Sequence, residues 1–166
     1  MAQMYKPRED SLMLAEQVKK YARGFVLDIG TGSGIQAVEA SKKRNVKRVI
    51  ALDIDKESIE YCKKNIENKK IYFFVSDLFS IFKLLDKKTN KNKPIKKIEN
   101  NQIIKKFDMI IFNPPYLPEN IRIKDLTLNG GKKGYEILER FLSEVNNYLK
   151  PNGIIVGPVG NEQEQE

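Results

Sequence analysis

The chain predicts an α/β fold of the doubly wound kind, built on a mainly parallel sheet. Strand-like apolar runs alternate with amphipathic helical patterns over most of the 166 residues, with no internal repeat. That alternation places helices on both faces of a parallel sheet. A glycine-rich loop, Gly30-Thr31-Gly32-Ser33-Gly34, joins the first strand to the helix after it. Asp28, Gly30, Asp53, Asp77 and Asn113 all fall at the carboxyl ends of predicted strands, where a doubly wound sheet carries its ligands.

An opening helix from about Asp10 to Ala22 puts Leu14, Ala15, Val18 and Ala22 on one face. The first strand is Phe25 to Ile29, and the helix after the glycine loop runs from Ile35 to about Arg44. The second strand is Arg48 to Asp53. Asp55 is placed to cap a helix from Lys56 to Asn65 by accepting backbone N–H bonds. Ile71 to Val75 forms the third strand, Ser76-Asp77-Leu78 its end, and Phe79 to Leu85 a short helix. A lysine-rich insertion, 83–106, leads to the fourth strand, Phe107 to Phe112. A helix from Gly134 to Leu149 is expected to end at Pro151-Asn152-Gly153, before a fifth strand, Ile154-Ile155-Val156, and a polar tail, 158–166. Residues 1–166 are expected to form one domain with a sizeable core.

Composition removes several kinds of chemistry. No run of 18 apolar residues is present to form a membrane-spanning helix. The segment Met1 to Lys6 lacks an apolar signal core, so export is not expected and the location is read as cytoplasmic. One cysteine and no histidine leave no disulfide framework, no expected metal site and no histidine base. Cys62 shares a helix face with Ile59 and Ile66 and reads as core rather than nucleophile. Of the net charge of +8, +7 lies between Lys83 and Lys106, where nine lysines face only Asp86 and Glu99. With no apolar period, 87–94 reads as a solvated loop, with contact to RNA or an acidic partner as the competing reading.

Two motifs carry the chemistry. Phe25 to Gly34 reads as a buried strand running into a glycine loop and a helix N-terminus, a place for close ligand approach. The dinucleotide fingerprint needs a third glycine where Ile35 stands, so an adenosine without a pyrophosphate fits better. Asp53 ends the second strand at the distance expected of a ribose-binding acid. The second motif, Asn113-Pro114-Pro115-Tyr116, follows the fourth strand directly. Its prolines bias the residues before them to extended backbone, so Asn113 presents an amide at a fixed place and Tyr116 a flat face beside it. Such a corner suits a planar NH2 group, either a carboxamide or an exocyclic base amine; a plain structural turn is the other reading.

With these motifs the chain resembles the class I S-adenosylmethionine-dependent methyltransferases, and among them the HemK-like glutamine methyltransferases of class I release factors. The likeness runs from Tyr5 to about Gly153. Tyr5-Lys6-Pro7-Arg8-Glu9-Asp10-Ser11 looks like the opening signature of the small archaeal and eukaryotic branch, Asp28 to Gly34 like the cofactor loop, and Asn113 to Tyr116 with Asn129-Gly130-Gly131 like the catalytic corner and its following loop. The resemblance implies S-adenosyl-L-methionine as cofactor, with Asp28, Gly30 and Gly32 along its methionine side and Ser11 at its edge. It implies Asp53 on the ribose hydroxyls, and Asp77 with the Leu78 backbone on the adenine edge. Helix capping is the competing role for Asp10, Ser11 and Asp77. Asn113, Pro114 and Tyr116 would hold the glutamine carboxamide, with no metal required.

The family is Rossmann-like, and it normally closes its sheet with an antiparallel pair of strands after the fifth. This chain ends at Glu166, which leaves a truncated chain or a sheet of five strands. Its lysine-rich stretch is also longer than usual for the family. The leading function is N5-methylation of the glutamine in the Gly-Gly-Gln segment of a release factor. Adenine-N6 methylation of RNA or DNA is the enzyme alternative, and a catalytically silent cofactor-binding partner subunit the non-enzyme one. The resemblance also implies a small zinc-binding activator protein, adding a strand at the open edge of the third strand.

Overall fold

The computed structural model describes residues 9–86, 106–114 and 135–157. The elements are α1 (Glu9–Tyr21), β1 (Gly24–Ile29), α2 (Ile35–Ser41), β2 (Val46–Asp53), α3 (Lys56–Asn65), β3 (Ile71–Val75), α4 (Ser80–Asp86), β4 (Phe107–Phe112), α5 (Glu136–Glu144) and β5 (Leu149–Val156). The strands form one sheet in the order β3-β2-β1-β4-β5, and each neighbouring pair is parallel. Among the described residues the sheet therefore has five strands, and no helix is long and apolar enough to cross a membrane.

Period-two alternation sends each strand's side chains into two separate cores. Val26, Val49, Ala51, Phe73, Met109 and Ile111 meet α1, α2 and α3 through Leu14, Val18, Ala37, Ala40, Ile59 and Cys62. On the other face, Leu27, Ile50, Leu52, Ile110 and Phe112 meet α4 and α5 through Phe79, Phe82 and Phe141. Leu14, Ala15, Val18 and Ala22 are buried as their helical spacing predicts. Asp55 caps α3, its carboxylate accepting from the Glu57 and Ser58 backbone N–H groups at 3.2 and 3.0 Å. Cys62 is buried, and burial, aided by the charges of Asp28 and Asp53, pushes its thiol up to about 12. At that value the thiol is inert.

The last helix differs from expectation. α5 ends at Glu144, a 3-10 turn spans Val145–Asn147, and Leu149 opens β5 rather than closing the helix. Pro151-Asn152-Gly153 lies within β5 as an irregularity, the register stepping from Phe107↔Leu149 to Met109↔Ile154. A proline that cannot donate and Asn152 at φ 63° fit such a bulge. The amino-terminal edge is pinned by Asp108, whose Oδ2 accepts from the Phe25 N–H and from Lys150 Nζ, both at 2.8 Å.

Candidate active site

The glycine loop is folded back over β2. The backbone N–H groups of Gly30 and Thr31 both donate to the Leu52 carbonyl, at 2.8 and 2.9 Å. Left-handed backbone at Gly30, Gly32 and Gly34 makes that reversal. Gly34 is the sterically exacting position: at φ 82°, a Cβ there would lie 2.5 Å from Ile66 Cδ1 and 3.1 Å from Cys62 Sγ. The loop is thus packed tightly on α3.

Two carboxylates hold the loop in shape. Asp28, only 1% exposed, accepts from Thr31 Oγ1 at 2.7 Å through Oδ2. Burial raises its carboxyl to about 7; the Thr31 bond opposes this rise, while the negative charge of Asp53 adds to it. Asp53 accepts from the Gly32 N–H at 2.8 Å through Oδ2 and from the Asp55 N–H at 2.9 Å through Oδ1. Burial raises its carboxyl too, against these backbone bonds. Both acids therefore build the loop before either meets a ligand. Burial disfavours their charges, so a cationic or donor-rich ligand would stabilise them.

Asp77 and Leu78 follow β3 at the same rim, where the Ser76 N–H donates to the Asp53 carbonyl at 2.8 Å. Leu78 is buried and has φ 45°, an uncommon backbone for a leucine. Ser76 explains how this turn persists. Its hydroxyl donates to the Leu78 carbonyl at 2.9 Å and accepts from the Ile81 N–H at 3.1 Å. Asp77 uses its backbone carbonyl to receive the Ser80 N–H and hydroxyl. Its carboxylate accepts from Arg140 Nη2 on α5 at 2.8 Å. The capping role considered for this side chain thus goes to its backbone, and the carboxylate is engaged from a different helix.

Asn113 stands beside the loop because β1 and β4 are neighbours in register, Ile29 opposite Phe112. A Cβ on Gly30 would lie 3.9 Å from the Asn113 carbonyl oxygen. Asn113 Oδ1 is buried and has no hydrogen-bond partner among the described residues. An orphaned buried acceptor at a strand end is costly to keep, and a ligand N–H is the kind of group that would satisfy it. Pro114 follows at intermediate burial. Tyr116, the Asn129-Gly130-Gly131 loop and Tyr5 to Arg8 lie outside the described residues.

Ser11 is 3% exposed in the first turn of α1, and its N–H meets the neighbouring Asp10 Oδ1 at 2.8 Å. Its carbonyl accepts from Gln36 Nε2 at 2.8 Å, which ties α1 to the start of α2. Gln36, Ser76 and Arg140 escape sequence reasoning, because each acts through a tertiary contact that local spacing does not announce. Gly157 escapes it also. A Cβ there would sit 2.9 Å from the Phe112 carbonyl, just before Asn113.

The structure therefore brings Asp28, Gly30, Gly32, Asp53, Asp77, Leu78 and Asn113 to one edge of the sheet, with Ser11 linked to it through Gln36. A family model described as a methyltransferase domain matches residues 22–165. A Methanocaldococcus jannaschii protein, provisionally named a protein N5-glutamine methyltransferase, is 36% identical over 160 residues, covering 92% of this chain and 70% of that one. The release factor glutamine methyltransferase of Koribacter versatilis is 31% identical, covering 93% of this chain and 54% of the relative. The chain spans about half the length of that enzyme and of the Aquifex aeolicus release factor glutamine methyltransferase. Among solved structures, the ribosomal protein L11 methylase of Lactobacillus delbrueckii has a TM-score of 0.56 at 22% identity, covering 90% of this chain and 60% of that one. A chain of the complex between the Haloferax volcanii Trm112 methyltransferase activator and a methyltransferase has a TM-score of 0.51 at 17% identity, covering 86% of this chain and 49% of that one. These last two share the fold. With a domain match over most of its length and a relative so similar over most of both chains, the protein belongs to the HemK-like group of class I S-adenosylmethionine-dependent methyltransferases.

Proposed function

We propose that residues 1–166 act as one unit that methylates N5 of the glutamine in the Gly-Gly-Gln segment of a class I release factor. The observation that carries this reading is the unpartnered, buried Asn113 Oδ1 at the end of β4, against the glycine loop. The names of the relatives supply the acceptor class. Such a substrate has the enzyme working in the cytoplasm.

The residues fit the cofactor the family uses. Buried Asp28 and half-buried Asp53 would hold a donor-rich, cationic molecule along the loop, with Gly30 and Gly32 leaving room for it and Ser11 at its edge. Asp53 offers its remaining lone pairs to ribose hydroxyls. Asp77 and the Leu78 backbone would meet the base. When bound, S-adenosylmethionine supplies an electrophilic methyl group and leaves as a neutral thioether. Asn113 Oδ1 and the Pro114 carbonyl accept the two N–H hydrogens of the glutamine carboxamide. An amide nitrogen is a poor nucleophile because its lone pair is delocalised into the carbonyl. Two fixed acceptors would orient and polarise it, and the one N–H proton lost as the nitrogen gains the methyl group would pass from the hydrogen-bonded acceptor to solvent, with no covalent intermediate or metal needed. By the family resemblance, Tyr116 would supply a flat face for the amide plane. A small activator protein, zinc-binding as the family resemblance has it, adds a strand beside β3, the terminal strand of the sheet.

The test is a labelled-methyl assay with recombinant release factor in one arm and bulk RNA in the other, using wild type and Asn113→Ala. Label on the release factor glutamine, lost in Asn113→Ala while cofactor binding persists, is the expected result. Label in RNA adenine would transfer the same corner to the alternative substrate. No label in either arm would leave a silent cofactor-binding subunit.

A further inference from the structure

We infer that Arg140 is a positioning residue for base recognition: it fixes the Asp77 carboxylate from α5, and through it sets the preference for a 6-amino purine. This rests on the cofactor reading above and assigns a role to a helix outside it. Arg140 Nη2 donates to Asp77 Oδ2 at 2.8 Å, across 63 residues of chain. Both side chains are about half exposed, 51% and 43%. An ion pair in that setting adds little to stability, but it can still direct the carboxylate that it holds. With Oδ2 engaged by Arg140, the Asp77 carboxylate is biased toward an orientation that leaves Oδ1 as its remaining acceptor.

The helix that carries Arg140 is itself firmly placed. Phe141, 1% exposed, stacks on Phe112 with ring centroids 4.3 Å apart and on Phe79 at 5.6 Å. Lys83 of α4 and Glu144 of α5 add a second tie at 2.7 Å. Phe112 directly precedes Asn113, and Phe79 directly follows Leu78. The same turn of α5 therefore abuts the acceptor corner and the base-reading turn. Ser76 holds the Leu78 backbone in its left-handed state from the other side. Ser76 holds the backbone of the turn, and Arg140 holds the Asp77 side chain.

A base with a 6-amino group donates to such an acceptor, whereas a 6-oxo base presents an oxygen to it. Calorimetry on the full chain with S-adenosylhomocysteine and with its 6-oxo analogue, S-inosylhomocysteine, measures the preference directly. Wild type should favour the amino form at least about tenfold, the discrimination of roughly one good hydrogen bond to a charged group. Arg140→Ala should erase most of that preference by weakening the amino form alone, and Arg140→Lys should restore part of it. In an Asp77→Ala background, Arg140→Ala should be silent, since the residue acts only through Asp77. Equal weakening of both ligands, or additive losses in the double variant, would overturn the inference and make Arg140 a general brace. Failure of wild type to bind S-adenosylhomocysteine at all would instead refute the cofactor reading on which it stands.

Discussion

At the scale of single residues, the site acids have a double duty that decides how they should be tested. Asp53→Ala would remove the proposed ribose acceptor and also release the Gly32 and Asp55 N–H groups. Asp53→Asn removes the charge and keeps one acceptor oxygen, but sets its NH2 against either the Gly32 or the Asp55 N–H, so the two variants are read together. Losing a charged acceptor should weaken cofactor binding by about 1.5–3 kcal/mol, with the Ala variant also losing thermal stability. Unchanged affinity in both variants, read by calorimetry, would remove Asp53 from the site. Asp28 adds a pH dependence. Its carboxyl titrates near 3.8 when unconstrained and at about 7 in the fold. The folded state thus binds the proton more tightly, so this group's contribution to stability is full below about pH 4 and is lost as pH rises through 7. Urea denaturation across that window should show the decline, and Asp28→Asn should flatten it. A cationic ligand has the opposite linkage, so its affinity should increase as Asp28 ionises.

At the scale of elements, legibility in the sequence followed how local the cause was. β3, α3 and β4 coincide with their expected spans because an apolar run, an Asp55 cap and flanking polar residues define each one locally. The stretch 145–153 was misread because its helical periodicity continues past Glu144, while Leu149 is claimed by pairing with Phe107. The strand-end acids and Asn113 were legible because doubly wound topology sends every βα turn to one edge. Arg140, Ser76 and Gly157 were not, since only packing brings them there. Gly157 offers a direct check on β5 as a support of the acceptor corner. A methyl group 2.9 Å from the Phe112 carbonyl must displace the end of β4 or itself. Gly157→Ala should slow single-turnover methyl transfer by about tenfold or more, in line with sub-ångström misplacement of a reacting group. Cofactor affinity should stay within about twofold, because the glycine loop and β2 are untouched. Equal loss of both would point to global loosening rather than to the corner.

At the scale of the whole molecule, the sheet has an edge where a partner would add a strand. Among the described residues β3 is the terminal strand, and its side chains do not form an exposed apolar surface. Ile71 and Phe73 are buried against the α1–α3 layer, Tyr72 and Phe74 are partly buried against the α4–α5 core, and Val75, 48% exposed, is the most open of the five. A strand sandwiched between two helical layers has no outward face. Phe73→Glu or Tyr72→Lys would therefore damage a core and reveal nothing about pairing. The open feature is the backbone. The Ser76 N–H and the Lys70 carbonyl bond to β2, so by alternation Tyr72 and Phe74 also address β2, while Phe73 and Val75 turn their backbone groups to the free side. Unpaired strand backbone is the template for β-augmentation. Val75→Pro removes one outward N–H without breaking the ladder to β2. Co-expression with a small activator protein should raise soluble yield and methyl transfer in wild type. Val75→Pro should lose most of that gain while its thermal midpoint alone stays close to wild type. A soluble, fully active protein that gains nothing from the activator would show that the β3 edge is not a docking site.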